Sequence, residues 1–137
     1  MADSIRKVDY FVMQVSHKAG EAARILAVLQ RHGVNLLAFT GFPDGRGAQL
    51  DFIPVDSKKF QAAAKRAKLK LRGKKRGLLV HGADRPGAVA RVLSKLAEAR
   101  INVTAVDAVS AGRGRYGAIV WVKPKDYNRA AKRLGAR

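Results

Sequence analysis

Residues 77–103 read GLLVHGADRPGAVARVLSKLAEARINV, and this stretch decides the fold. Its apolar run Leu78-Leu79-Val80 predicts a β-strand. The next segment, Asp84-Arg85-Pro86-Gly87, predicts a turn into a helix, because Asp can cap a helix, Pro fits its first turn and Gly lets another backbone approach. Apolar residues then follow the i, i+3, i+4, i+7 spacing of one helix face: Val89, Val92, Leu93 and Leu96. The stretch therefore predicts strand, turn and helix.

The same pattern occurs earlier in the chain. Landmark residues match without a gap at one constant offset of 67 positions: Gly20 with Gly87, Asn35 with Asn102, and Gly45-Arg46-Gly47 with Gly112-Arg113-Gly114. Several matched landmarks in one register are not expected from composition alone. We interpret the chain as one small unit written twice.

Each copy is predicted to run strand, helix, strand, strand, helix. The predicted strands are 8–16, 34–42, 48–55, 77–83, 101–110 and 115–122, and the later helices are about 57–67 and 125–134, with Phe60 and Tyr127 as core anchors. The order predicts an α+β fold with an antiparallel sheet and helices on one face. A closing strand, Leu69–Arg72, is predicted only in the first copy. We divide the chain into residues 1–72 and 73–137, with the last strand of the second copy short or missing.

Composition narrows the class of protein. The chain has 137 residues, of which 47% are hydrophobic, so it can bury a core. The absence of cysteine removes disulfides and thiol chemistry and gives no sign of an oxidising compartment. No apolar run approaches the roughly 20 residues of a membrane span. We expect a soluble, cytoplasmic protein without a membrane partner.

The chain is strongly basic, with a net charge of +18. Basic residues crowd one segment: Lys65, Arg66, Lys68, Lys70, Arg72, Lys74, Lys75 and Arg76. Such a segment can be a solvated, charged sheet edge that resists aggregation, or a groove for a polyanion. No aromatic residue interleaves the charges, as single-strand binding usually requires, so the sequence favours the charged edge.

Catalytic patterns are missing from the sequence. There are three separated His, no Cys, no His-Glu-x-x-His, no paired carboxylates and no glycine-rich nucleotide loop. We therefore predict no enzyme activity, no metal site and no cofactor.

The turn Asp84-Arg85-Pro86-Gly87, with Asn102 after the following helix, resembles the ACT domain, a small regulatory module. The resemblance implies two ferredoxin-like βαββαβ modules side by side, an amino-acid ligand at the seam between them, and a regulated enzyme or transcription regulator as partner. A homodimer is also possible in such a family. The resemblance implies the ligand-binding residues Asp84, Gly87 and Asn102, with Gly20 and Asn35 from the first copy and main-chain groups near Ala88 and Val103.

Alternatives remain open for these residues. Asp84 and Pro86 could do no more than start a helix, and the two Asn residues could hold turn backbone. In the first copy His17 and Ala19 replace the Asp and Pro of the turn, so the resemblance gives less support for ligand binding there. The alternative function is RNA or other nucleic-acid binding, since the RNA-recognition motif shares the βαββαβ order. That motif needs exposed aromatic residues, and Ala118 stands where one should stack a base.

Overall fold

The computed structural model describes residues 3–137. The described residues form ten main elements: β1 (Ser4–Ser16), α1 (Glu21–Arg31), β2 (Leu36–Asp44), β3 (Gly47–Pro54), α2 (Ser57–Arg66), β4 (Leu71–Ala83), α3 (Ala88–Glu98), β5 (Val103–Gly112), β6 (Arg115–Val122) and α4 (Tyr127–Leu134). A single turn of 3-10 helix, Pro124–Asp126, precedes α4. The predicted strand Leu69–Arg72 overlaps β4 only at Leu71 and Arg72, and the predicted strand 77–83 is the second half of β4.

The chain packs as two compact units. The first unit is Asp9–Lys75, and the second contains residues 3–8 together with Arg76–Arg137. Strands β1 and β4 therefore each have residues in both units. This grouping differs from the sequence division at residue 72, because residues 3–8 pack with the second copy of the repeat.

The first unit is an antiparallel sheet with two helices on one face. Its strand order is β2-β3-β1-β4, and Phe11 of β1 lies opposite Phe52 of β3. Odd-numbered β1 residues and even-numbered β3 residues point towards α1 and α2, where Phe11 stacks on Phe60 with ring centroids 4.9 Å apart. Phe60 is fully buried, as predicted for a core anchor.

The second unit repeats this arrangement with the order β5-β6-β4-β1. Leu78 of β4 lies opposite Val120 of β6, and both pack against Val92 and Leu96 of α3. The second predicted anchor, Tyr127, is buried and donates a 3.0 Å hydrogen bond to the carbonyl oxygen of Gly77.

The N-terminal residues supply the strand that the second copy lacks. Ile5 is buried in the core of the second unit, and β1 is the neighbour of β4 in the sheet. Arg137 is hydrogen-bonded to this part of β1. Its amide donates to the Ile5 carbonyl oxygen at 3.0 Å, and its carbonyl oxygen accepts from the Lys7 amide at 2.8 Å. Residues 4–8 thus occupy the fourth strand position of the second unit.

The backbone repeats as the sequence does. Left-handed conformations recur at the offset of 67, with φ in degrees: Gly20 (85) with Gly87 (85), Gly33 (72) with Arg100 (57), Gly45 (62) with Gly112 (82), and Lys68 (56) with Gly135 (68). Both second strands also have an irregularity near their start, after Leu36 in β2 and after Val103 in β5. The predicted α+β fold, with an antiparallel sheet and helices on one face of each unit, is confirmed.

Candidate functional site

The turn between β4 and α3 is joined to strand β5. Asp84 does not cap the helix, because Gly87 occupies the N-cap position and no side chain bonds to the helix start there. Instead, Asp84 Oδ2 accepts a 2.8 Å hydrogen bond from Ser110 Oγ of β5. The Asp84 amide also donates to the carbonyl oxygen of Gly114 at 2.8 Å. These bonds fix the turn against the β5–β6 hairpin.

A cavity of about 350 Å³ lies between this turn and β5. Its walls come from three places in the second unit: the turn and first residues of α3 (Asp84, Arg85, Gly87, Ala88, Val89 and Ala90), strand β5 (Ala108, Val109 and Ser110), and Tyr116 of β6. A cavity of this size falls within the range of small-molecule sites.

The start of α3 presents free donors to the cavity. The Ala88 amide donates to the Arg85 carbonyl oxygen, and the Arg91 amide donates to that of Gly87. Val89 and Ala90 both line the cavity, and their amides have no hydrogen-bond acceptor among residues 3–137. Unpaired amides and the positive end of the helix dipole favour an anionic group at this place.

Tyr116, which is only 4% exposed, forms the part of the cavity wall that comes from β6. Burial raises the pKa of Tyr116, and the negative charge of the neighbouring Asp3 raises that pKa further. Hydrogen bonding to the Asp3 carboxylate raises the pKa of Tyr116 again. A Cβ at Gly82 would collide with Asp3 Oδ1 and lie 2.7 Å from Tyr116 Cε1. The side chains of Asp3 and Tyr116 can therefore pack here only because residue 82 is glycine.

Comparison with known proteins identifies the part of the chain that carries this cavity. Residues 77–136 match the ACT domain. The match covers the second copy, from β4 to the end of α4, and ACT domains are regulatory, ligand-binding modules. The first copy is not matched, so the expected tandem pair of ACT domains stays a prediction.

Solved structures of low sequence identity share the fold. Protein BT0572 of Bacteroides thetaiotaomicron is 18% identical with a TM-score of 0.74, covering 95% of this chain and 88% of that chain. The ligand-free regulatory subunit of aspartate kinase from Thermus thermophilus is 12% identical with a TM-score of 0.64, covering 98% and 95%. Aspartokinase III of E. coli, in complex with aspartate and ADP, is 15% identical with a TM-score of 0.55, covering 97% and 32%. No curated protein sequence matches the chain significantly.

Within the ACT domain, the predicted ligand residues divide into two groups. Asp84, Gly87 and Ala88 line the cavity, whereas Asn102 and Val103 do not. Val103 begins β5 and Ser110 lies seven residues further on, which is about 23 Å along an extended strand. Asn102 is exposed at the far end of α3. The structure therefore does not bring Asn102 and Val103 to the Asp84 turn within this unit.

The two predicted residues of the first copy are also apart from each other. Gly20 caps α1 in a left-handed conformation and is exposed. Asn35 lines a smaller cavity of about 190 Å³ together with Asp56 and Lys59, and its carbonyl oxygen accepts a 3.0 Å hydrogen bond from the Val55 amide. The expected location of the ligand between the two modules stays a prediction.

The first copy fills its own turn with an acidic side chain. Glu21, the first residue of α1, accepts hydrogen bonds from Ser16 Oγ at 3.0 Å and Arg24 Nε at 2.6 Å. The bond from Arg24, followed by that from Ser16, lowers the pKa of Glu21. At the matching positions of the ACT domain stand Ala83, Ala88 and Arg91.

Sequence reasoning missed Ser110 and Tyr116 as cavity residues. The sequence feature that could have revealed them is the predicted turn Ala111–Gly114. A hairpin of strands 101–110 and 115–122 sets Ser110 and Tyr116 opposite each other. That pairing alone does not show which other loop they meet.

Three further observations bear on RNA binding, on a metal site and on a membrane span. Tyr116, Ala118 and Val120 point into the core against the helices, not to an exposed face on which RNA bases could stack. In the described part of the chain, no three His, Cys, Asp or Glu side chains converge as a metal-ligand set. No helix within residues 3–137 is long and apolar enough to cross a membrane.

Proposed function

We propose that this chain is a non-catalytic regulatory protein that binds a small molecule, an amino acid, in the cavity of its ACT domain. The observation that carries the proposal is the Asp84–Ser110 hydrogen bond, which joins the helix-starting turn to β5 and so forms two walls of one cavity. A residue that served only to start the helix would bond to the helix amides, and Asp84 does not.

The chemistry of the cavity suits an amino acid. The Val89 and Ala90 amides offer donors to a carboxylate, and the Asp84 carboxylate offers an acceptor to an ammonium group. Ala108 and Val109 add apolar surface for a side chain. Donors, an acceptor and an apolar wall within one cavity are the features by which proteins fix and select small ligands.

The same proposal extends to the whole chain. We infer that the first unit is a second, ACT-like module, because its backbone repeats that of the matched unit at the offset of 67. A regulated enzyme or transcription regulator would then be a separate partner.

A thermal-denaturation screen of the full chain with each of the twenty amino acids tests the proposal. A ligand at ten times its Kd stabilises the folded state by about 1.4 kcal/mol, which raises the melting temperature by roughly 4 °C for a chain of this size. We expect one or a few amino acids to do so. An absence of any stabilising amino acid at millimolar concentration would count against the function.

Two variants locate the effect. Asp84→Ala should remove the shift in melting temperature, because it removes both the acceptor for the ammonium group and the hydrogen bond to Ser110. His17→Ala is the matched control, since His17 stands at the corresponding position of the first copy and is exposed. The control should keep the shift, and a shift that survives Asp84→Ala would place the ligand elsewhere.

A further inference from the structure

The charged residues on the outward face of α2 are all positive. Phe60, Ala63 and Ala64 form the buried side of this helix. Its exposed side carries four cations: Lys58, Lys59, Lys65 and Arg66. No Asp or Glu occurs anywhere in residues 57–83. The helix therefore presents a positive surface to the solvent without an acidic residue of its own to neutralise it.

Further cations border this helix in the first unit. Arg31 is the exposed last residue of α1, and a Cβ at Gly33, just beyond it, would lie 3.2 Å from Lys59 Nζ. After α2 the chain turns back through a 2.8 Å hydrogen bond from the Leu69 amide to the Ala64 carbonyl oxygen, which holds two more exposed lysines on ordered backbone. We call the whole set the cationic face: Arg31, Lys58, Lys59, Lys65, Arg66, Lys68 and Lys70. Within residues 3–137, none of its members forms an ion pair.

The second unit pairs its charge at the matching positions. Arg133 Nη2 of α4 lies 2.7 Å from Glu98 Oε1 at the end of α3. At the offset of 67, Arg66 corresponds to Arg133, but Arg31 corresponds to Glu98. The first unit therefore has two arginines at the two positions where the second unit forms an ion pair.

Two other differences between the copies also add positive charge to the first unit. Lys59 corresponds to Asp126, an acidic residue. Lys68 corresponds to Gly135, although both positions are left-handed, with φ of 56° and 68°, a conformation that glycine adopts far more easily than lysine. Concentrated like charge also lowers the stability of a folded chain. Residues that are unfavourable for folding are typical of surfaces that serve binding.

The extent of the cationic face indicates a polyanion. Lys58 and Lys65, like Lys59 and Arg66, are seven residues apart, which is about 10.5 Å along the helix. A single carboxylate or phosphate cannot reach both ends of such a row. A partner with phosphates repeated along a chain can neutralise all of it.

The absence of apolar anchors narrows the class of polyanion. Among residues 3–137, the large hydrophobic side chains that are exposed all lie outside α2 and residues 68–70: Phe39, Phe42, Val55, Val106 and Val109. Protein interfaces and membrane-bound helices both depend on apolar or aromatic anchors, and single-stranded nucleic acids need aromatic residues on which to stack. A nucleic-acid duplex keeps its bases stacked inside and is bound through its phosphates by cations alone.

We propose that the cationic face of the first unit binds the phosphate backbone of a double-stranded nucleic acid, without preference for sequence. Contacts from cations to phosphates position a protein on a duplex but read no bases. This function is separate from the binding of an amino acid in the ACT domain. Failure of the amino-acid screen would therefore leave this inference standing.

The first test is fluorescence anisotropy of the full chain with a labelled DNA duplex of about 20 base pairs and an RNA duplex of the same sequence. We expect saturable binding, with log K falling linearly with log salt at a slope of about −4 or steeper, since each neutralised phosphate contributes roughly 0.9. Binding of only one duplex would identify the kind of nucleic acid. A slope shallower than about −2, tighter binding of the single strand, or equal competition by polyglutamate at the same charge would overturn the inference.

Three variants test the location of the contact. Arg31→Glu rebuilds the ion pair of the second unit, so it should weaken duplex binding at least about tenfold at about 0.1 M salt without lowering the free energy of unfolding. Lys65→Glu should also weaken binding about tenfold or more. Lys132→Glu is the matched control, because Lys132 is the exposed residue of α4 that corresponds to Lys65 and the change in charge is the same. Equal losses in Lys65→Glu and Lys132→Glu would show that only net charge matters, and unchanged binding in Arg31→Glu would also contradict the assignment.

Discussion

Asp84 and Ser110, which are 26 residues apart in sequence, are joined by a 2.8 Å hydrogen bond from the Ser110 hydroxyl to the Asp84 carboxylate. The bond connects the turn before α3 to strand β5. Both residues are exposed, so we assign the bond a positioning role and only a small contribution to stability.

Ser110→Ala is expected to weaken ligand binding with little effect on folding. An exposed hydrogen bond of this kind contributes about 1 kcal/mol or less to the free energy of unfolding. Without the hydrogen bond to Ser110, the Asp84 turn is free to move away from β5. The affinity of the protein for the stabilising amino acid should then fall. Chemical denaturation and calorimetry measure the two effects, with the exposed Ser94→Ala on α3 as control. An affinity unchanged by Ser110→Ala would contradict the positioning role.

Gly82→Ala is expected to destabilise the second unit by about 1–3 kcal/mol, the usual cost of overpacking. The added methyl group would lie 2.7 Å from Tyr116 Cε1 and would meet the Asp3 carboxylate. Gly117→Ala on the adjacent strand is the control, because its Cβ would have its nearest neighbour at 3.7 Å, an ordinary contact. Urea denaturation of both variants checks the difference, and equal stabilities would show that Gly82 is not required by packing.

Removal of residues 1–8 is expected to unfold the second unit, because the deletion removes Ile5 from its core and leaves the neighbouring edge of β4 unpaired. A circular permutant that places residues 1–8 after Arg137, through a flexible linker, should restore the fold, since the Arg137 backbone already bonds to Ile5 and Lys7. Amide hydrogen exchange reports on both proteins. Undiminished protection of β4 and β6 in the deleted chain would contradict this role of β1.

Tyr116 is expected to make stability depend on pH in alkaline solution. Burial, and then the charge of Asp3, raise its pKa above the ordinary value of 10.0. The folded state therefore prefers the neutral phenol, and this contribution is complete below pH 10 and is lost as the pH rises through the folded pKa. Tyr116→Phe should lose less stability than the wild type between pH 9 and about 11, as measured by urea denaturation. If the stabilities of the two proteins fell in parallel as the pH rises, the raised pKa of Tyr116 would be contradicted.

Much of the fold follows from local sequence signals. The apolar spacing predicted α1 and α3, and the glycine-marked turns predicted the two hairpins, because these features depend on neighbours within a few residues. The predicted strand 115–122 agrees with β6 as observed.

Other features of the structure depend on contacts between residues that are distant in sequence. Residues 4–8 (Ser-Ile-Arg-Lys-Val) are too few and show no regular alternation of apolar and charged side chains, so nothing local assigns them to the second unit. Asp84 and Asn102 flank the same helix in the sequence, yet α3 separates them, since its 11 residues span about 16 Å. The hairpin turn sets Ser110 opposite Tyr116, but nothing in its sequence shows that these two residues meet the Asp84 turn.

The most direct test of the central claim is an NMR titration of the isotope-labelled full chain with the amino acid that stabilises it most. We predict that the largest amide shifts occur at Asp84–Ala90 and Ala108–Ser110, the walls of the cavity. Shifts concentrated instead at Gly33–Asn35 and Asp56–Lys59 in the first unit, or no saturable shifts at millimolar ligand, would contradict it.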